Sequence, residues 1–153
     1  MIKKLPKLNV FFALCMLVIA CHSHAEALKT RTTLKGVAYM TGGIGEEQKA
    51  EMKAHAKAFN VHLLFSEGTS GRAVTDLNVD IYSETDEQVF RVVNAKPLLY
   101  VQLPAGTYTI LANNAGQRLR HKFTLVEGEP KKIILNWKDS LIEEDMPLDG
   151  EGN

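Results

Sequence analysis

Between residues 61 and 137, apolar side chains return at every second position in seven short runs separated by turn-forming residues. A period of two gives a strand one apolar face, and that face must be laid against another layer. Seven such runs at roughly ten-residue spacing point to an all-β arrangement of two sheets covering each other. The runs are residues 61–65, 77–82, 89–93, 98–103, 108–112, 119–125 and 132–137. Two of them, Leu99/Val101/Leu103 and Tyr108/Ile110/Ala112, flank Pro104-Ala105-Gly106. Proline presets φ and a following glycine can take φ > 0, so this punctuation predicts a hairpin with Gly106 at positive φ. Leu103, Tyr108, Phe123 and Trp137 are expected in the core.

Ahead of these runs the pattern differs. Residues 32–40 predict one strand, with Val37 and Tyr39 on one face, ended by Thr41-Gly42-Gly43-Ile44-Gly45. Residues 46–59 are rich in Ala, Glu, Lys, Gln and Met and predict the one clear helix. Its apolar stripe, Met52, Ala56 and Phe59, is narrow, so the helix should form only by packing that stripe on the sandwich. Phe59 is then buried, and Lys49, Lys53 and Lys57 face solvent along one edge. The fold predicted is mainly β: a seven-stranded, Greek-key-type β-sandwich with one N-terminal helix packed on it.

The two ends read as separate segments. Residues 1–25 have the form of an export signal, with three lysines, an apolar run from Val10 to Cys21, and Ser23 and Ala25 at the −3 and −1 positions before Glu26. The apolar run is shorter than the ~20 residues a membrane-spanning helix needs. A rival reading is a relaxed lipobox, Val18-Ile19-Ala20-Cys21, in which Cys21 is lipidated and the protein is an outer-membrane lipoprotein. Cys15 and Cys21 are the only cysteines, so a chain cut before Glu26 has no disulfide or thiolate chemistry. The expected location is the periplasm or the exterior. Residues 139–153 hold six acids, no base and no periodicity, the signature of an acidic disordered tail. The chain as a whole has net charge +0. Setting aside the three leader lysines and the six tail acids leaves residues 26–138 mildly basic, with fifteen bases against twelve acids. The segments are thus 1–25 (signal peptide), 26–60 (strand and helix), 61–138 (sandwich) and 139–153 (tail).

Leu103-Pro-Ala-Gly-Thr-Tyr-Thr-Ile110, the upstream Asn78-Val-Asp-Ile81 and the Gly116 turn resemble the carboxypeptidase regulatory-like, transthyretin-type β-sandwich over about residues 61–137. The front half, residues 39–65, resembles a group of uncharacterised proteobacterial secreted proteins that place a Gly-Gly-x-Gly-Glu helix before such a sandwich. The resemblance implies an accessory or binding module and supplies no catalytic residues.

Chemical motifs are few. Gly42-Gly43-Ile44-Gly45 meets neither phosphate-loop pattern and carries Glu46 and Glu47 next to it, so it reads as a strand-to-helix turn. A metal site would require His55, His62 and His121 to converge with Glu51 or Asp80, yet His121 falls on the apolar face of its run, a core position. No G-x-S-x-G, H-E-x-x-H or cysteine nucleophile occurs. These features predict no enzyme activity, cofactor or metal. A small periplasmic hydrolase remains the least favoured alternative; it needs a pocket gathering His55 or His62 with a carboxylate. Two cationic rows are the candidate faces for an anionic partner: Lys49, Lys53 and Lys57 on the helix, and Arg118 and Arg120, continued by Lys122, on a strand. The partner expected is an envelope protein or polysaccharide. Nucleic acid is excluded for want of aromatic interleaving and by export, and a membrane enters only if Cys21 is lipidated.

Overall fold

A computed structural model describes residues 27–138. The expected signal peptide, its cleavage point, Cys21 and the acidic tail lie outside the described residues. Ten strands, one α-helix and one 3-10 turn follow in the order β1 (Arg31–Thr32), β2 (Ala38–Gly42), α1 (Gly45–His55), the 3-10 turn Ala56–Ala58, β3 (Val61–Glu67), β4 (Arg72–Ala73), β5 (Leu77–Ser83), β6 (Gln88–Ala95), β7 (Leu98–Val101), β8 (Gly106–Asn114), β9 (Gln117–Leu125) and β10 (Lys131–Trp137). The fold is a mainly β, two-sheet sandwich with a single α-helix. All seven alternating runs are strands, β3 and β5–β10. The remaining three are β2 and the two-residue strands β1 and β4, too short to leave a period in the sequence.

The first sheet has the order β1-β2-β7-β3-β10, with β4 on β3, and the second β6-β5-β8-β9. Neighbours are antiparallel except β10, which runs parallel to β3. Val61, Leu63, Phe65, Leu99, Val101, Ile133, Leu135 and Trp137 of the first sheet face Leu77, Val79, Ile81, Phe90, Tyr108, Ile110, Phe123 and Leu125 of the second in one core. Leu103, Tyr108, Phe123 and Trp137 are all buried, as the alternation predicts.

Pro104-Ala105-Gly106 does not make a hairpin. β7 pairs with β2 and β3 in the first sheet, whereas β8 pairs with β5 and β9 in the second. The segment is therefore a crossover between sheets, and two side chains pin it. Asn60 Nδ2 donates to Leu103 O at 2.6 Å while Leu103 N donates to Asn60 Oδ1 at 3.0 Å. Tyr108 OH donates to Pro104 O at 2.8 Å, the backward bond of a tyrosine corner. Gly106 has φ 158°, positive as expected but extended, because it opens β8 instead of tipping a turn. The tight turn lies further on: Ala115 (φ 47°) and Gly116 (φ 93°) join β8 to β9, both central residues having the positive φ that a two-residue hairpin requires.

The expected strand 32–40 is instead a short hairpin, β1 turning into β2, and β2 lies within the first sheet. Val37 and Tyr39 pack on the main core, while Met40 points to the opposite face. There, α1 lays Met52 against it, and Met40, Met52 and Phe59 form a second cluster flanked by Leu28, Leu98 and Tyr100. Phe59 is buried and Lys49, Lys53 and Lys57 are exposed, as expected. The α-helix is shorter than 46–59, however: at Ala56 it tightens into the 3-10 turn, where Phe59 N donates to Ala56 O at 3.2 Å, and Phe59 is already extended. His62 Nε2 lies 2.9 Å from Ala56 O and 3.0 Å from Phe59 O. With two carbonyls as partners that nitrogen carries the proton, and the imidazole caps the helix end from β3. Gly42 and Gly43 have a packing reason: a β-carbon would stand 2.7 Å from Leu28 Cδ1 at the first and 2.9 Å from Leu98 Cγ at the second.

Truncation of Phe123 or Trp137 to Ala should lower unfolding free energy by ~3–5 kcal/mol in urea titrations; unchanged midpoints for both would contradict this strand phasing. Tyr108→Phe should cost about 1 kcal/mol at neutral pH, the worth of its hydrogen bond. Burial holds the Tyr108 phenol above its ordinary value of 10.0. The unfolded chain therefore loses this proton first, so the contribution is present below about pH 10 and lost as pH rises toward the folded value. The stability gap between wild type and Tyr108→Phe should narrow above about pH 10, and a constant gap across that range would show the phenol to be solvated.

Candidate functional site

The outer face of the second sheet is built by residues that alternate with its core set. In β9 these are Arg118, Arg120 and Lys122, all exposed, standing beside Asn113, Leu111 and Thr109 of β8. Alternate residues of a strand are ~6.8 Å apart, so the three cations form a file about 14 Å long. Neither β8 nor β9 contains a carboxylate. The next residue in the Arg120 row is Asp80 of β5, beyond Leu111, and it is already engaged. Gln88 Nε2 donates to Asp80 Oδ1 at 2.8 Å, and Arg91 Nε lies 3.8 Å from the same oxygen. Arg91 thus shares the face with the file but is separated from it by β5 and β8 and is turned to Asp80.

The helix row differs in both geometry and charge. α1 ends at His55, so Lys57 sits in the 3-10 turn and the regular helical spacing stops at Lys53. Lys49 Nζ is bonded to Glu46 Oε1 at 2.8 Å, and Glu47 and Glu51 share the helix. Exposed pairs of this kind contribute little to stability, but they neutralise the row. Of the two candidate faces, only the strand carries several cations without an interleaved acid.

The histidines do not converge. His62 is consumed as the helix cap with its ring 4.4 Å from Tyr100, and His55 Nδ1 lies 2.9 Å from Glu51 O. His121, expected in the core, is exposed: it stands opposite Ile110 on a strand that ends its sheet, with no further strand beyond it among the described residues. Among the described residues no three His, Cys, Asp or Glu side chains are grouped to hold a metal ion. Asp76 is the carboxylate held below its usual range, by hydrogen bonds from Lys96 Nζ (3.0 Å) and Thr75 Oγ1 (3.0 Å).

Sequence patterning gave no hint of a groove of about 510 Å³ between the β1–β2 hairpin and the free edge of β6. Leu34, Tyr39, Val89, Phe90 and Val93 make it apolar, with Tyr39 set edge-on to Phe90 at 5.3 Å. Its two rim cations are spoken for: Lys35 Nζ bonds Glu87 Oε1 (2.9 Å) and Gln88 O (2.6 Å), and Arg91 faces Asp80. A polar hollow of about 580 Å³ lies at one end of the sandwich, where Lys57 and Glu127 share its lining with the crossover Gln102–Ala105.

No protein-family model matches the chain, and no curated protein matches it either. No described helix is long and apolar enough to cross a membrane.

Proposed function

We propose that this chain is an exported, non-catalytic binding module of the bacterial envelope that docks an anionic polysaccharide on the outer face of β9. The observation that carries the reading is the file Arg118, Arg120 and Lys122 on strands free of carboxylate. A polyanion with repeating charges can meet such a file at several points, each exposed contact contributing ~0.2–1 kcal/mol. The leader at residues 1–25 supports export to the periplasm. The resemblance of residues 61–137 to the carboxypeptidase regulatory-like sandwich supports an accessory role without catalysis.

Affinity electrophoresis of the chain from Glu26 onward, in gels containing alginate, tests the docking. Retardation is expected with alginate and not with neutral dextran, and it should weaken with salt as exposed charges are screened. Reversing Arg118, Arg120 and Lys122 to Glu should weaken retardation by about tenfold or more, the equivalent of ~1.4 kcal/mol, without lowering the unfolding midpoint. Reversing Lys49, Lys53 and Lys57 should leave it nearly unchanged. Equal retardation in alginate and dextran, or loss only with the helix variant, would overturn the assignment.

Intact mass of the protein recovered from the envelope fraction tests the mode of export. Cleavage before Glu26 is expected. A diacylated Cys21 would instead make the protein a lipoprotein tethered to the outer membrane, with the same β9 face.

A further inference from the structure

The outer face of the second sheet changes character from β9 to β5. In the row that starts at Lys122, Thr109 of β8 comes next and Tyr82 of β5 after it. Two strand spacings, about 9–10 Å, separate the backbones of Lys122 and Tyr82, with only a threonine side chain between. Tyr82 is the aromatic residue of this face; Phe90, Tyr108 and Phe123, from the same sheet, all lie in the core. It is half-buried, and among the described residues its hydroxyl has no hydrogen-bond partner and its ring no aromatic neighbour. The other three tyrosines are engaged: Tyr39 edge-on to Phe90, Tyr100 against His62, and Tyr108 bonded to Pro104 O.

Charge changes sign in the same direction. Lys122 belongs to the cationic file, whereas the turn after Tyr82 carries Glu84 and Asp86, both exposed and without an ion-pair partner among the described residues. Asp80, two residues before Tyr82, is met by Gln88 and Arg91. A carboxylate is therefore attracted at β9 and repelled beside Tyr82. An uncharged sugar fits there instead: its C–H face can lie on the phenol ring, and its hydroxyls can meet Thr109 and Gln88, which flank Tyr82. We infer that this face takes a polysaccharide in which acidic and neutral sugars alternate. The acid is held by Arg120 and Lys122, and the neighbouring neutral ring stacks on Tyr82. The inference rests on the proposed docking at β9 and adds to it a choice among polyanions. A polymer charged at every ring meets the file alone.

Affinity electrophoresis at low ionic strength tests that choice with two probes at equal carboxylate concentration. Alginate carries a uronate at every ring, and hyaluronate alternates glucuronate with uncharged N-acetylglucosamine. The apparent Kd for hyaluronate should be about fivefold lower than for alginate, the order expected from covering ~40 Å² of apolar ring surface. Tyr82→Thr, a residue suited to a strand, should abolish that preference and leave retardation by alginate at its wild-type level. Tyr82→Phe keeps the ring and should keep most of the preference. Alginate retardation with no preference for hyaluronate, or a preference that survives Tyr82→Thr, would overturn this inference and leave the docking at β9 standing. Equal losses in both gels with Tyr82→Thr would make Tyr82 a support of the strand and overturn it too. Retardation in neither gel, or retardation by hyaluronate undiminished when Arg120 and Lys122 are reversed to Glu, would overturn the docking itself.

Discussion

Everything in this sandwich depends on the crossover at Leu103-Pro104-Ala105. Two consecutive apolar strands, β7 and β8, would bury nothing against each other if they paired, since their apolar faces would then point the same way. Sending them to different sheets turns those faces toward one another and closes the core. The crossover is held where backbone groups would otherwise lose their partners. Leu103 is 2% exposed, and both its amide and its carbonyl are taken by Asn60. A buried peptide group left unpaired costs ~1–3 kcal/mol, so one asparagine just ahead of β3 satisfies the most costly position in the link. Tyr108 adds the second tie from the β8 side.

That arrangement explains how much the sequence could disclose. Period two is a property of one strand and its two faces, so the strands and the inner residues Val61, Leu99, Tyr108, Phe123 and Trp137 were legible. Which strand lies beside which is decided by partners far away in sequence, and Pro-Ala-Gly has the same local chemistry in a hairpin and in a crossover. The parallel pairing of β10 with β3 was equally hidden, because it joins residues 70 positions apart, as the bond from Asn136 to Ser66 shows. The helix end was hidden for a related reason: composition favours helix through Phe59, but Phe59 is extended, packs with Met40 and Met52, and leaves its carbonyl to His62 of the next strand. His121 shows the converse limit, since alternation identifies the inward side of a strand but not whether anything stands beyond it.

The helix illustrates packing winning over amphipathic pattern. Met52 is its only fully buried side chain, too little apolar area for a helix of eleven residues to persist alone. A shared cluster drawn from the strand before it, the turn after it and β7 holds it in place. The N-terminal segment completes the clasp. Leu28 N donates to Glu51 Oε1 at 3.2 Å, and its side chain lies where a β-carbon on Gly42 would be. The molecule is therefore three layers deep on this side, and the helix row of lysines stands on a surface whose shape is set by packing.

The strand row has no such structural explanation for its sign. Edge strands expose unpaired backbone and commonly carry charged side chains that keep a second edge away. β9 and β10 are both edges, and Lys131, Lys132, Arg118, Arg120 and Lys122 serve that purpose well. Protection of an edge, however, is indifferent to the sign of the charge and works as well with mixed signs. Elsewhere on this surface the signs are mixed: Lys35 with Glu87, Lys49 with Glu46, Arg72 with Glu67, Lys96 with Asp76. On β8 and β9 every acid is missing. A single sign of charge on this strand face, where mixed signs would protect the edge equally well, leaves the face without counterions of its own.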